Sequence, residues 1–219
     1  MSSILLIEDN EKHLASLDDL ITAGNTVDVA TDFDGAMEKL FGKERYGTSN
    51  HPTFPPKYDA VLTDLNFCYG ADCASSQESR TQAPLGLSVI FAAARAKIPR
   101  IGMLTDSNHQ SNAISATWDF LYPDSKNPDE KRWIGSNHSR PIWQLNDSKV
   151  IMLDERDLQR LYVIDGQKFR ADKTSDGFQL ASKYAQQKTG IQSQFEALKA
   201  VPHSVVKDYF ALNEALKTI

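Results

Sequence analysis

Four residues with oxygen chemistry fall directly behind short apolar runs. Glu8 and Asp9 follow Ile4-Leu5-Leu6-Ile7, Asp64 closes Ala60-Val61-Leu62-Thr63, and Thr105 closes Ile101-Gly102-Met103-Leu104. Carboxylates gathered at one edge repel each other unless a cation sits among them, and an all-oxygen set suits Mg²⁺. A plainer reading stands beside this one for each acid taken singly: an acid that follows a strand also caps the next helix.

To bring these residues together, the runs must be neighbouring strands. Apolar runs of this length fit strands buried on both faces of a parallel sheet. The carboxyl edge of such a sheet is where open α/β folds bind ligands. The intervening segments fit that plan. Residues 11–23 predict a helix, with Leu14, Leu17, Leu20 and Ile21 on its apolar face and Gly24-Asn25 at its end. Val27 to Ala30 alternates as a second strand, and Asp32 or Asp34 caps a short helix through Met37, Leu40 and Phe41. Pro84-Leu85-Gly86 opens a helix with Leu87, Ile90, Phe91 and Ala94 on its apolar face, and Pro99 stops it. The order βαβαβαβ is the signature of a parallel sheet with helices on both sides.

Two long polar segments interrupt the pattern, 42–57 and about 65–83, the second starting at the proposed site. Beyond Thr105 the signal weakens. Lys149 to Leu153 is the best fifth strand, Asp165-Gly166 marks a hairpin, and residues from 177 onward read as helices, Val205 and Val206 included. The expected division is 1–154 for the sheet-bearing domain and 155–219 for a mainly helical extension.

Composition narrows the function classes. The chain has 219 residues, 41% hydrophobic and 24% charged, which supports a sizeable core. A net charge of −5 argues against broad sequence-independent nucleic-acid binding. No apolar run approaches the ~18 residues that span a bilayer, so no membrane partner is expected. The N-terminus lacks the basic segment of a signal peptide, and the two cysteines, Cys68 and Cys73, fit a reducing, cytoplasmic compartment better than half of a zinc site.

The arrangement of Glu8-Asp9, then Tyr58-Asp59-Ala60-Val61-Leu62-Thr63-Asp64-Leu65, then Ile98-Pro99-Arg100-Ile101-Gly102-Met103-Leu104-Thr105 resembles the receiver domain of two-component response regulators. The resemblance covers about residues 4–106. It implies a doubly wound, flavodoxin-like sheet of five parallel strands, followed here by a helical C-terminal extension. It also implies a phosphorelay role. Asp64 is then the phosphoacceptor, and Glu8, Asp9, Asp64 and the backbone carbonyl of Asn66 hold Mg²⁺. Thr105 is the hydroxyl residue that turns toward the phosphoryl group, and Gly86 matches the glycine before the third helix. The implied partners are a histidine kinase or phosphotransfer protein upstream and a protein target downstream. No helix-turn-helix marks the C-terminal part as a DNA reader.

The resemblance fails at one functional position. The family's lysine follows its fifth strand, where this chain has Asp154 and Glu155. Lys149 lies at the other end of that strand, and Lys126 and Arg156 are the remaining substitutes. Asp106 adds negative charge beside Thr105, and His109 sits a few residues on, as an acid–base group at the site edge or as a solvated loop histidine. Two alternatives therefore stay open. One is a degenerate receiver that binds partners without phosphorylation. The other is a metal-dependent phosphohydrolase using Asp64 with Asp106 or His109, which Asn66 disfavours because such phosphatases carry an acid there.

Overall fold

Four consecutive residues of the first strand, Ile4 to Ile7, have no solvent exposure at all. Residues of alternate parity point to opposite faces of a strand, so both faces of this one must be covered. The computed structural model, which describes residues 1–42, 56–68, 82–105, 142–153, 160–170 and 177–218, shows how. Leu5 and Ile7 pack in one core with Val61, Ile101, Met103, Val150 and Met152, beneath the helices α2 (Phe33–Phe41) and α3 (Gly86–Arg95). Ile4 and Leu6 pack in a second core with Leu62, Leu104, Ile151 and Leu153. That second core is closed by α1 (Leu17–Thr22), which continues a 3₁₀ helix over Glu11–Ser16, and by a helix from the C-terminal end, Tyr209–Lys217.

Between those layers lie β1 (Ser3–Ile7), β2 (Thr26–Ala30), β3 (Ala60–Thr63), β6 (Arg100–Leu104) and β8 (Ser148–Leu153). They are all parallel, in the order β2-β1-β3-β6-β8. This is the flavodoxin-like doubly wound order, which changes direction between β1 and β3. A sixth strand, β7 (Trp143–Leu145), adds an antiparallel edge through a hairpin turn at Asn146, whose φ is 54°. The pair β4 (Phe67–Cys68) and β5 (Gln82–Ala83) forms a small separate ribbon beyond Asp64.

The fold class matches the sequence reading, and so do the fifth parallel strand and the cap at Asp32, whose carboxylate accepts a hydrogen bond from Gly35 N at 2.7 Å. Two apolar-face assignments do not hold: Ile21 and Phe91 are 51% and 59% exposed. The predicted helix over 11–23 is 3₁₀ in its first half.

The C-terminal extension differs from the helical expectation. A three-stranded antiparallel sheet, β10-β9-β11, stands between β8 and the last helix, built from β9 (Arg160–Ile164), β10 (Gln167–Arg170) and β11 (His203–Lys207). The hairpin at Asp165-Gly166 is present, with φ of 49° and 76° as a type I′ turn needs. Helices α4 (Gly177–Thr189) and α5 (Gln194–Lys199) cover one side of this sheet. Val205 and Val206, expected in a helix, pair with Tyr162 and Leu161 of β9, because β-branched side chains fit a pleated surface better than a helix. The chain then returns to the main sheet as α6 (Tyr209–Lys217). Gly102 of β6 makes room for it, since a Cβ there would lie 2.9 Å from both Leu212 and Leu216.

Candidate functional site

The strand order decides which side chains meet. β1 and β3 are register partners, with Ile7 opposite Thr63, so the residues that follow them emerge side by side at the carboxyl edge. Asp64 N donates to Ile7 O at 3.0 Å and extends the ladder by one step. As a result Glu8, Asp9 and Asp64 each offer an oxygen within 4.8 Å of the others. All three are buried, with exposures of 0%, 8% and 4%.

Two residues that the sequence reading did not single out complete the cluster. Lys207, the last residue of β11, is 1% exposed. Its Nζ lies 2.6 Å from Asp64 Oδ2 and 3.4 Å from Glu8 Oε2. Tyr209, the first residue of α6, is fully buried and donates its hydroxyl to the same Glu8 oxygen at 2.7 Å. Glu8 Oε1 accepts from Asn10 N at 3.0 Å, and Asp64 Oδ1 accepts from Leu65 N at 2.6 Å. Cys68 N donates to Asp9 Oδ2 at 3.2 Å. Each of the three acids thus accepts at least one hydrogen bond from a backbone amide. Three carboxylates against one ammonium leave a formal surplus of two negative charges, which a divalent cation matches.

The surroundings fix this geometry. Gly86 N donates to Leu65 O at 2.9 Å, and a Cβ on Gly86 would stand 2.2 Å from Asp64 O, so only glycine lets α3 start this close to the segment after β3. Thr63 Oγ1 donates to Asp64 O at 2.8 Å, a structural role. Thr105, 2% exposed, follows β6, the neighbour of β3, and its amide donates to Leu153 O at 3.1 Å. Asn66 is the third residue after β3, two beyond Asp64, and is half-buried.

Other candidates fall elsewhere. Lys149 pairs with Arg100 at the start of β8, and its amide donates to Pro99 O at 2.9 Å. That is the amino edge of a parallel sheet, the opposite end from Asp64, so Lys149 is removed from the site edge. Asp106, His109, Lys126 and Arg156 lie outside the described residues. Cys68 is disulfide-bonded rather than the reduced thiol expected, and a disulfide sulfur is not the thiolate a zinc site needs. Among the described residues no helix is long and apolar enough to cross a membrane.

Lys207 was legible in principle. His203-Ser204-Val205-Val206-Lys207-Asp208 is a β-branched run closed by a lysine and a capping acid, just before an amphipathic helix. That is the strand–lysine–helix order sought after β8, found here after β11.

No protein-family model matches this chain, and neither does any curated protein. Three solved structures that align with it are receivers or response regulators. The N-terminal domain of a response regulator/sensory box/GGDEF protein from Carboxydothermus hydrogenoformans is 17% identical, with 53% of this chain and 74% of that one covered and a TM-score of 0.34. A bacteriophytochrome response regulator is 26% identical over 54% and 76% of the two chains, with a TM-score of 0.34. A response regulator receiver domain protein from Clostridium thermocellum is 17% identical over 54% and 76%, with a TM-score of 0.33.

Proposed function

We propose that this chain is a receiver that accepts a phosphoryl group on Asp64 and signals through protein contacts. The observation that carries the reading is the 2.6 Å ion pair between Lys207 Nζ and Asp64 Oδ2 inside a cluster of three buried carboxylates. The cluster has a nucleophile and a phosphate-pairing cation. It also has the two surplus charges that hold a divalent metal.

Glu8, Asp9, Asp64 and the Asn66 carbonyl would hold Mg²⁺, and Glu8 is also tied to Tyr209 and Lys207. Bound there, the ion supplies charge neutralisation between the carboxylates and an approaching phosphoryl group. The chain's own groups do the rest. One Asp64 oxygen attacks phosphorus in line as the bond to the donor breaks. With a phosphohistidine donor the leaving imidazole takes its proton from water. As the acyl phosphate forms, Lys207 passes from the Asp64 oxygen to a phosphoryl oxygen, trading one charge-assisted bond for another. Thr105 then has a new acceptor at its own edge of the sheet, which can bias the conformation that follows β6.

The donor is a histidine kinase or a phosphotransfer protein, and the target is a protein. A phosphorylation-independent binding module rests on the lack of a lysine near Asp64 and on the charge of Asp106; Lys207 removes the first of these supports. The test is intact mass after incubation with acetyl phosphate and Mg²⁺. Wild type is expected to gain one phosphoryl group, and Asp64→Asn none. Equal masses for both proteins, treated and untreated, overturn the proposal.

A further inference from the structure

Lysine is a long, flexible side chain, so where its Nζ sits depends on how firmly its backbone is held. Three contacts hold the tripeptide Lys207-Asp208-Tyr209. Lys207 N donates to His13 Nδ1 at 3.3 Å, and Tyr209 N donates to Ser16 Oγ at 3.1 Å, both from the 3₁₀ helix. The third comes from the inserted sheet. Arg170, the last residue of β10, donates from Nε to Asp208 Oδ2 at 2.5 Å.

Arg170 is itself fixed from two more directions. Its Nη2 bonds to Asp19 Oδ2 on α1, and its guanidinium stacks 4.9 Å over the Phe210 ring. Lys168, two residues earlier on the same face of β10, holds the other Asp19 oxygen at 3.1 Å. Asp208 is 1% exposed, and its remaining oxygen caps α6 by accepting from Ala211 N at 3.1 Å. Burial pushes the Asp208 carboxyl up, and Arg170 is the main group that opposes this. Without Arg170 the residue next to Lys207 is left with a buried, unpaired charge.

We propose that Arg170 is a positioning residue for Lys207: by clamping Asp208 against α1 it sets the ammonium on Asp64, and so couples the inserted hairpin to phosphoryl transfer. The inference rests on Asp64 being the phosphoacceptor. It assigns the hairpin β9–β10 a place in the chemistry, because a partner that draws Arg170 away from Asp208 slows the reaction without touching the carboxylates.

The test reads Lys207 directly and then its effect. In the first measurement the native protein is pulse-labelled with acetic anhydride and acetylation of Lys207 is read by peptide mass. Wild-type Lys207 is expected to be nearly inert. In Arg170→Ala its labelling is expected to rise about tenfold while exposed Lys97, Lys183 and Lys217 stay unchanged. Arg170→Lys keeps the charge but cannot fork between two carboxylates, so it is expected to fall between. In the second, the maximal rate of phosphoryl uptake from acetyl phosphate is expected to fall about tenfold in Arg170→Ala, with KM little changed. In a Lys207→Ala background the Arg170 substitution is expected to have no further effect. Where Arg170→Ala lowers the melting point to the assay temperature, Arg170→Lys and Asp208→Asn carry both readouts. Unchanged Lys207 labelling in every variant overturns the inference, as does an equal Arg170 effect with and without Lys207. Absence of uptake by wild type instead overturns the reading of Asp64, and with it the catalytic part of this inference.

Discussion

Lys207 Nζ stands 2.6 Å from Asp64 Oδ2, although two strands and two helices separate β8 from the strand that carries Lys207. The lysine reaches the acidic edge on the last residue of β11, and the following helix, α6, closes the core on one face of the main sheet. The site is therefore assembled from both ends of the chain.

Removing the ammonium has effects of opposite sign on transfer and on metal binding. Lys207→Met is expected to slow phosphoryl uptake by about 100-fold, the usual cost of one lost charge-stabilising donor. It leaves three carboxylates without their internal cation, so its affinity for Mg²⁺ is expected to rise at least about tenfold. Without metal its stability is expected to fall by about 3 kcal/mol, since one member of a buried pair is left alone. Thermal melts with and without Mg²⁺ check both: the metal-induced rise should exceed that of wild type.

The acidic cluster itself is expected to bind the metal. Mg²⁺ should raise the melting temperature of wild type in a concentration-dependent way, by mass action on the folded state. In Asp9→Asn the rise is expected to be lost, and the metal-free protein to be no less stable, because one repelling charge is gone. A melt series over Mg²⁺ concentration, with EDTA as reference, reads this.

Gly86→Ala and Gly102→Ala should differ. At Gly86 the new methyl meets backbone, Asp64 O at 2.2 Å and Leu65 Cα at 2.8 Å, which cannot give way cheaply. At Gly102 it meets side chains rather than backbone, Leu212 Cδ2 and Cγ and Leu216 Cδ1, each at 2.9 Å. The expected costs are about 3 and about 1 kcal/mol in chemical denaturation. Only the first is expected to slow phosphoryl uptake, since it moves the acceptor loop.

Tyr58 predicts an alkaline limit to stability. Its hydroxyl donates to Asp28 Oδ2 at 2.6 Å, and burial, then the Asp28 carboxylate, raises the phenol above its usual 10.0. A raised folded value means stability that is complete below pH 10.0 and is lost as pH rises toward the folded value. Tyr58→Phe is expected to cost about 1 kcal/mol at neutral pH and to flatten the decline between pH ~10 and ~11 by about 1 kcal/mol. Urea midpoints at pH ~8 and pH ~11 measure the difference.

The acidic edge is legible in the sequence because β1, β3 and β6 are short, largely apolar runs, each followed at once by a residue with a side-chain oxygen. Ile4 to Ile7 and Ala60 to Thr63 are buried on both faces, and no competing period obscures them. Helix faces read less well. Ile21 and Phe91 fall at helical spacing yet face outward, since the sheet covers only a stripe of each short helix. Lys207 was hidden by non-local pairing. Val205 and Val206 lie between helical patterns, and only the partner strand β9 makes them a strand. Nothing local says that Arg170, thirty-odd positions upstream, meets Asp208. Such contacts belong to topology rather than to spacing.

The central claim is that Asp64 forms an acyl phosphate, and borohydride reduction tests it most directly. Wild type is treated with acetyl phosphate and Mg²⁺, reduced, digested and sequenced by mass spectrometry. The account predicts homoserine in place of the aspartate at position 64, absent when the phosphodonor is omitted and sharply reduced in Lys207→Met. An unmodified Asp64 in a sample that has gained phosphate at another residue, or that has gained none, contradicts it.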